Sequence, residues 1–134
     1  MAGKTAFIYH ENYSKYDFGP YHPFRPIREK HVLEFIRKLG VFDDKAIYVE
    51  ARPASEDELR LVHLVSYIEF VKRKCEIGHG YLDYGDTPAT KTLYEGSIYR
   101  VGGTIHGVEL IMDGKVSHAF NPGGGLHHAR SESA

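Results

Sequence analysis

The chain is 134 residues long, the size of one domain with a sizeable core, and 17 Lys+Arg against 18 Asp+Glu leave a formal charge of -1. That balance excludes the basic footprint of a nucleic-acid or anionic-membrane partner, and no apolar run approaches the ~20 residues of a membrane span. The start, Met1-Ala2-Gly3-Lys4-Thr5, has no long apolar segment, and one cysteine, Cys75, excludes an internal disulfide; a cytoplasmic location is expected. Cys75 sits among Lys and Arg residues without a nucleophile signature and reads as incidental.

Thr5 to His10 is a compact apolar run of the kind found in strands buried on both faces. Glu11 to Arg25, rich in Tyr, Gly and Pro, reads as an ordered loop, because its aromatic rings need something to pack against. Pro26 suits a helix's first turn; Val32, Leu33, Phe35, Ile36 and Leu39 follow at helical spacing, and Gly40 supplies the stop. Lys45 to Val49 is a second strand. Ser55-Glu56-Asp57-Glu58 has the capping-box pattern and opens a short helix, and Ser66 to Lys74 reads as another.

Gly78 to Pro88 (G-H-G-Y-L-D-Y-G-D-T-P) is a second unusual loop. Beyond it a long helix is expected from about Ala89 to Asp113, with Leu93, Val101, Ile105, Val108 and Met112 as its apolar stripe. Gly96, Gly102, Gly103 and Gly107 each cost roughly 1 kcal/mol relative to alanine in a helix interior, which predicts close packing against a sheet or a neighbouring helix. Val116 to Asn121 is the third strand. Strands alternating with helices indicate an α/β domain with a parallel sheet, whose ligands sit beyond the carboxyl ends of strands. The Glu11–Arg25 loop and the turn Gly123-Gly124-Gly125 both follow strands and are expected at the same sheet edge.

That turn leads into His127-His128. Glycines let backbone come close to a ligand, and adjacent imidazoles beyond them can serve as acid and base near neutral pH. The residues alone fit a flexible Gly-rich tail with solvated histidines equally well. A metal trap built from His127-His128 with His118 or His79 is a further reading, of a kind that arises easily by accident.

Four segments in order, His22-Pro23-Phe24-Arg25-Pro26-Ile27-Arg28, Pro53-Ala54-Ser55 through His63 and Tyr67, Gly85-Asp86-Thr87-Pro88, and Phe120-Asn121-Pro122-Gly123-Gly124-Gly125-Leu126-His127-His128-Ala129, carry a resemblance. The chain resembles the amino-terminal part of the zinc-dependent histone deacetylase superfamily, especially the prokaryotic acetoin-utilization proteins and histone-deacetylase-like amidohydrolases. The resemblance implies a partial three-layer α/β/α arginase/deacetylase-like fold, with helices on both faces of a parallel sheet and the C-terminal part lacking. It implies that His127 and His128 exchange protons with a zinc-bound water and the leaving amine, that Asp86 holds substrate backbone at the rim, and that Arg28 lines an inner cavity. Taken alone, Asp86 reads as a turn residue and Arg28 as a surface arginine at a helix start.

In the family the zinc ligands, an Asp-x-His pair and a second aspartate, lie beyond the tandem histidines, and no Asp-x-His triplet occurs in this sequence. The expectations are therefore no zinc site in this chain, no deacetylase activity by itself, and an unpaired edge at the third strand that favours a homo-oligomer or a partner chain carrying the missing half. The alternative is a non-catalytic binding or assembly remnant of the family.

Overall fold

The computed structural model describes residues 3–126 and 129–134. Three strands form a parallel sheet in the order β2-β1-β3, with β1 (Thr5–Tyr9) flanked by β2 (Ala46–Glu50) and β3 (His118–Phe120). Four α-helices accompany them among the described residues: α1 (Ile27–Lys38), α2 (Glu56–Arg60), α3 (Val65–Ile77) and α4 (Leu93–Met112).

The alternation of side chains along a strand sorts the layers. Ala6, Ile47 and Ala119 share one register row, and Ile8 and Ala119 lie under Gly107 of α4. Phe7, Tyr48 and Phe120 share the next row on the opposite face, where Arg37 of α1 lies 4.9 Å above the Tyr48 ring. Helices thus cover both faces, and Ala6 to Tyr9 of β1 are all buried, as the uninterrupted apolar run predicts. β2 and β3 are the outer strands among the described residues, and Phe120 is 54% exposed.

Local signals placed most elements well. Gly40 (φ 63°) and Gly78 (φ 79°) follow α1 and α3 in the left-handed region that favours glycine. The capping box at α2 is complete: Glu58 N–H donates to Ser55 Oγ at 3.2 Å and Ser55 N–H donates to Glu58 Oε2 at 2.7 Å. The 11–25 segment is ordered, beginning with a 3-10 turn over Glu11–Lys15, and its Tyr16, Phe18 and Phe24 rings pack on one another with centroids 4.9–5.7 Å apart.

The long helix needs two corrections. It begins at Leu93, not near Ala89, because Ala89 N–H donates to Gly80 O and Tyr81 pairs with Pro88, so these residues close the preceding loop instead. Its buried face follows the expected stripe only in part: Leu93 is buried and Ile105 packs against Ala54, Leu59 and Ile68. Val108 and Met112 are 55% and 79% exposed, whereas Gly96, Arg100, Gly103 and Gly107 line the inner face with Gly102. The expected close packing of the glycines is present: a Cβ at Gly96 would lie 2.3 Å from Tyr16 N, and one at Gly102 would lie 2.0 Å from Arg52 O. Along its glycines helix α4 packs by backbone approach, while Leu93 and Leu110 bury their side chains and Val108 and Met112 face outward.

Candidate functional site

The candidate site is assembled at the carboxyl ends of β1 and β3. His10 follows β1 and, with its ring Nδ1, accepts from Asn12 N–H at 3.0 Å, starting the 3-10 turn that swings Tyr13 inward. Asn121 follows β3. Its Oδ1 accepts from Tyr13 Oη–H (2.8 Å) and from Gly123 N–H (3.0 Å), while its Nδ2 donates to Arg100 O (3.1 Å) and Thr104 Oγ1 (2.9 Å). Its side-chain amide thus joins the loop after β1, the turn after β3 and the middle of α4. Gly123 lies against the Tyr13 ring so closely that a Cβ there would come within 2.2 Å of it, which explains a glycine at that position. Gly124 and Gly125 border open space.

Beside this junction lies Arg100, 2% exposed. Its Nη2 donates to Glu29 Oε2 at 2.6 Å and to Tyr13 O at 3.1 Å, and its Nη1 donates to Gly124 O at 3.4 Å. The guanidinium also faces the Tyr16, Phe24 and Tyr13 rings at 4.7, 5.3 and 5.4 Å. Burial pushes the Glu29 carboxyl above the usual range, against the pull of Arg100. Burial likewise lifts the Tyr16 phenol to about 12 and Tyr13 higher still, so both stay neutral donors near neutral pH. A mostly apolar cavity of about 160 Å³ opens next to Arg100 between α3 and α4, with Tyr16, Tyr67, Tyr94 and Leu126 in its walls.

The second loop joins the first through His22. Its Nδ1 accepts from Phe24 N–H at 3.1 Å, which leaves Nε2–H to donate to Asp86 O at 3.0 Å. Asp86 is exposed, with Oδ1 4.0 Å from His22 Nε2. Asp83 shapes the turn that presents it: its Oδ1 accepts from the N–H groups of Gly85 (3.0 Å), Asp86 (2.9 Å) and Thr87 (2.8 Å), and its Oδ2 from Thr87 Oγ1–H (2.7 Å). Desolvation pushes this carboxyl up, but the donors from Thr87, Gly85 and Asp86 together outweigh it and hold the carboxyl at about 2. Because the folded value lies below the unfolded ~3.9, the turn's support from Asp83 is present above that value and lost as pH falls through about 2. The amide resonances of Gly85, Asp86 and Thr87 should therefore titrate together with a midpoint near 2, and Asp83→Asn should remove the transition. A common midpoint near ~4 would show that the bonds do not hold the carboxylate.

Of the expected site residues, Gly123 and Gly124 stand in the junction, and Asp86 stands at the rim of the second loop, joined to the first through His22. Arg28 is exposed: its Nε donates to Arg25 O at 3.3 Å and its guanidinium lies 5.5 Å from the Phe24 ring, so the buried cation at this end is Arg100. His127 and His128 lie outside the described residues. Arg100, Asn121, Tyr13 and Glu29 escaped the sequence reading. The signal for Arg100 was the spacing Gly96, Arg100, Gly103, Gly107, which puts a lone cation on the glycine face of a helix.

Residues 22–134 match the histone deacetylase domain. The chain belongs to the histone deacetylase family. It is 39% identical over 131 residues to the acetoin utilization protein AcuC of Bacillus subtilis, an alignment covering 92% of this chain and 34% of that protein. AcuC of Staphylococcus aureus is 33% identical over 139 residues, covering 96% of this chain and 35% of the relative. The chain thus spans about a third of the length of these curated relatives. A crystal structure of an HDAC homologue from Aquifex aeolicus matches with a TM-score of 0.79 at 27% identity, over 98% of this chain and 37% of that one. The HDA15 HD domain matches in fold with a TM-score of 0.84 at 23% identity, over 98% and 38% of the two chains. These neighbours establish the histone deacetylase fold, in part, for the three-stranded sheet and its helices.

Among the described residues, no group of three or more His, Cys, Asp or Glu side chains converges to hold a metal ion. Cys75 is buried, and burial pushes its thiol up, toward the unreactive neutral form. No helix among the described residues is long and apolar enough to cross a membrane.

Proposed function

We propose that this chain forms the tandem-histidine portion of a deacetylase domain that hydrolyses acetyl-lysine or a related acetamide, and that it is inactive without the remainder of that domain. The observation that carries this is the convergence, through Tyr13, Asn121 and His22, of three loops at the carboxyl end of the sheet, one of which leads directly into His127 and His128. In this reading His127 and His128 move protons between water and the departing amine, and Asp86 receives substrate backbone at the rim. Arg28 takes its inner-cavity role only when the rest of the wall is present. The zinc would take its ligands from outside the described residues. The cytoplasm is the compartment this reading implies, in keeping with a single buried cysteine.

Association is part of the proposal. The outer side of β3 has no strand partner among the described residues, and Phe120 beside it is 54% exposed. Such an edge is a template for pairing. The partner we infer is a polypeptide carrying the remaining two-thirds of an AcuC-like chain, and a second copy of this chain is the alternative.

The test mixes the purified chain with that second polypeptide and follows sedimentation and zinc-dependent hydrolysis of an acetyl-lysine peptide. The chain alone should show no turnover, the mixture should sediment as a complex and turn over, and His127→Ala or His128→Ala should lower kcat by roughly 100-fold or more. Chelator-sensitive turnover by the chain alone would overturn the claim of inactivity. A well-formed complex that never hydrolyses the peptide would favour the assembly-remnant reading.

A further inference from the structure

We propose that Arg100 is a positioning residue for the turn that carries the tandem histidines, acting on that turn through the Gly124 carbonyl. The inference rests on the proposed role of His127 and His128 in proton transfer.

The turn has little means of fixing itself. Three consecutive glycines carry the largest backbone entropy of any residue type, and Gly124 and Gly125 touch nothing through which a side chain could pack. Its placement therefore depends on bonds to backbone atoms. Two of these are present, and the one to Gly124 O is made by the Arg100 side chain. The guanidinium donates to Gly124 O at 3.4 Å, while Asn121 Oδ1 holds Gly123 N–H at 3.0 Å independently of the side chain at position 100, since Tyr13, Thr104 and a main-chain carbonyl fix that amide. His127 comes three residues after Gly124 in the chain.

The rest of the Arg100 environment fixes the arginine itself. Glu29 of α1 binds it at 2.6 Å, Tyr13 O accepts a further bond at 3.1 Å, and three aromatic rings from the first loop enclose its plane. A hydrophobic pair of similar volume often satisfies a core as well as a buried ion pair does. What methionine cannot supply at position 100 is the fork of N–H donors that reaches the Gly124 and Tyr13 carbonyls together. That difference separates a positioning role from a packing role. Proton transfer is sensitive to such placement, since a misplacement of ~1 Å costs on the order of 100-fold in rate.

The experiment compares isotope-labelled wild-type chain with Arg100→Met/Glu29→Met and with Arg100→Lys, by NMR and by urea denaturation. The double variant should keep the wild-type unfolding midpoint and the β1 resonances, while the amides of Gly123 to Leu126 and the rings of His127 and His128 shift and broaden. Arg100→Lys, which keeps a cation opposite Glu29, should restore part of the wild-type pattern. If the double variant lacks a cooperative transition, the lysine variant makes the same comparison alone. Unchanged turn and imidazole resonances in a folded variant would overturn the proposal. In the reassembled complex the double variant should lose about 10- to 100-fold in kcat with KM little altered. Turn resonances that move in a complex that never shows activity would sink the deacetylase reading and leave the positioning role standing.

Discussion

Gly102→Ala is expected to abolish cooperative folding or to lower stability by about 3 kcal/mol or more, at or beyond the top of the usual range for overpacking. Two effects oppose each other at this position. Alanine in a helix interior is favoured over glycine by roughly 1 kcal/mol. Against that, a Cβ at position 102 would lie 2.0 Å from Arg52 O, 2.5 Å from Ala54 N and 2.6 Å from Pro53 C. All three are backbone atoms of the segment between β2 and α2, so no flexible side chain can swing aside. Ala54 N–H is also bound to Ile98 O at 2.8 Å, which ties that segment to the same helix. The clash should therefore win, and α4 must separate from the segment. Urea denaturation measures the effect, with Gly125→Ala as the control: nothing lies within 4 Å of its Cβ position, and it should stay within about 0.5 kcal/mol of wild type. A Gly102→Ala chain as stable as wild type would mean that α4 does not approach the 52–54 backbone this closely.

Arg100→Met as a single substitution should cost about 3–5 kcal/mol near neutral pH, because it leaves the Glu29 carboxylate buried without its counterion. Against a typical total stability of ~5–15 kcal/mol that is a large fraction. The loss should depend on pH with a definite sign. Burial already raises the Glu29 carboxyl, and removing Arg100 removes the largest influence lowering it. A carboxyl whose folded pKa lies above its unfolded ~4.3 contributes stability that is fully present below that value and is lost as pH rises through the folded one. The variant should therefore lie closer to wild type near pH ~4 than near pH ~7, and Arg100→Met/Glu29→Gln should remove that difference. Unfolding curves at the two pH values decide it. A penalty independent of pH would show that lost packing against Tyr16 and Phe24, and not an uncompensated charge, dominates.

The two effects converge on α4, where the sequence was hardest to read. Leu93, Val101, Ile105, Val108 and Met112 suggested a conventional stripe, which Leu93 and Ile105 obey and Val108 and Met112 do not; helical periodicity assumes that the largest apolar side chains face inward. That assumption fails when backbone contact replaces side-chain contact. The glycines mark a face that can approach Tyr16, Arg52 and Ile8, and Val108 and Met112 lie outside it. The glycines themselves were interpretable, since four of them in one helix interior are too costly without close packing. Arg100 was not, because a single arginine in a sequence is a surface residue by default. Its partners come from positions 71 and 87 residues away, and no local pattern encodes such a meeting.

What the sequence determined by itself was the local grammar and the motif. The buried strand at Thr5, the stops at Gly40 and Gly78 and the capping box at Ser55 each depend on residues only a few positions apart, so local backbone and capping energetics mark them, and the string from Phe120 through His128 is legible as a motif. Only the tertiary structure decided that α4 turns its glycine face inward and that Asn121, Tyr13, Arg100 and Glu29 meet behind the glycine turn. Those contacts join distant segments, and burial makes them obligatory once they meet: a polar or charged group removed from water must find its partner in whatever the fold brings beside it.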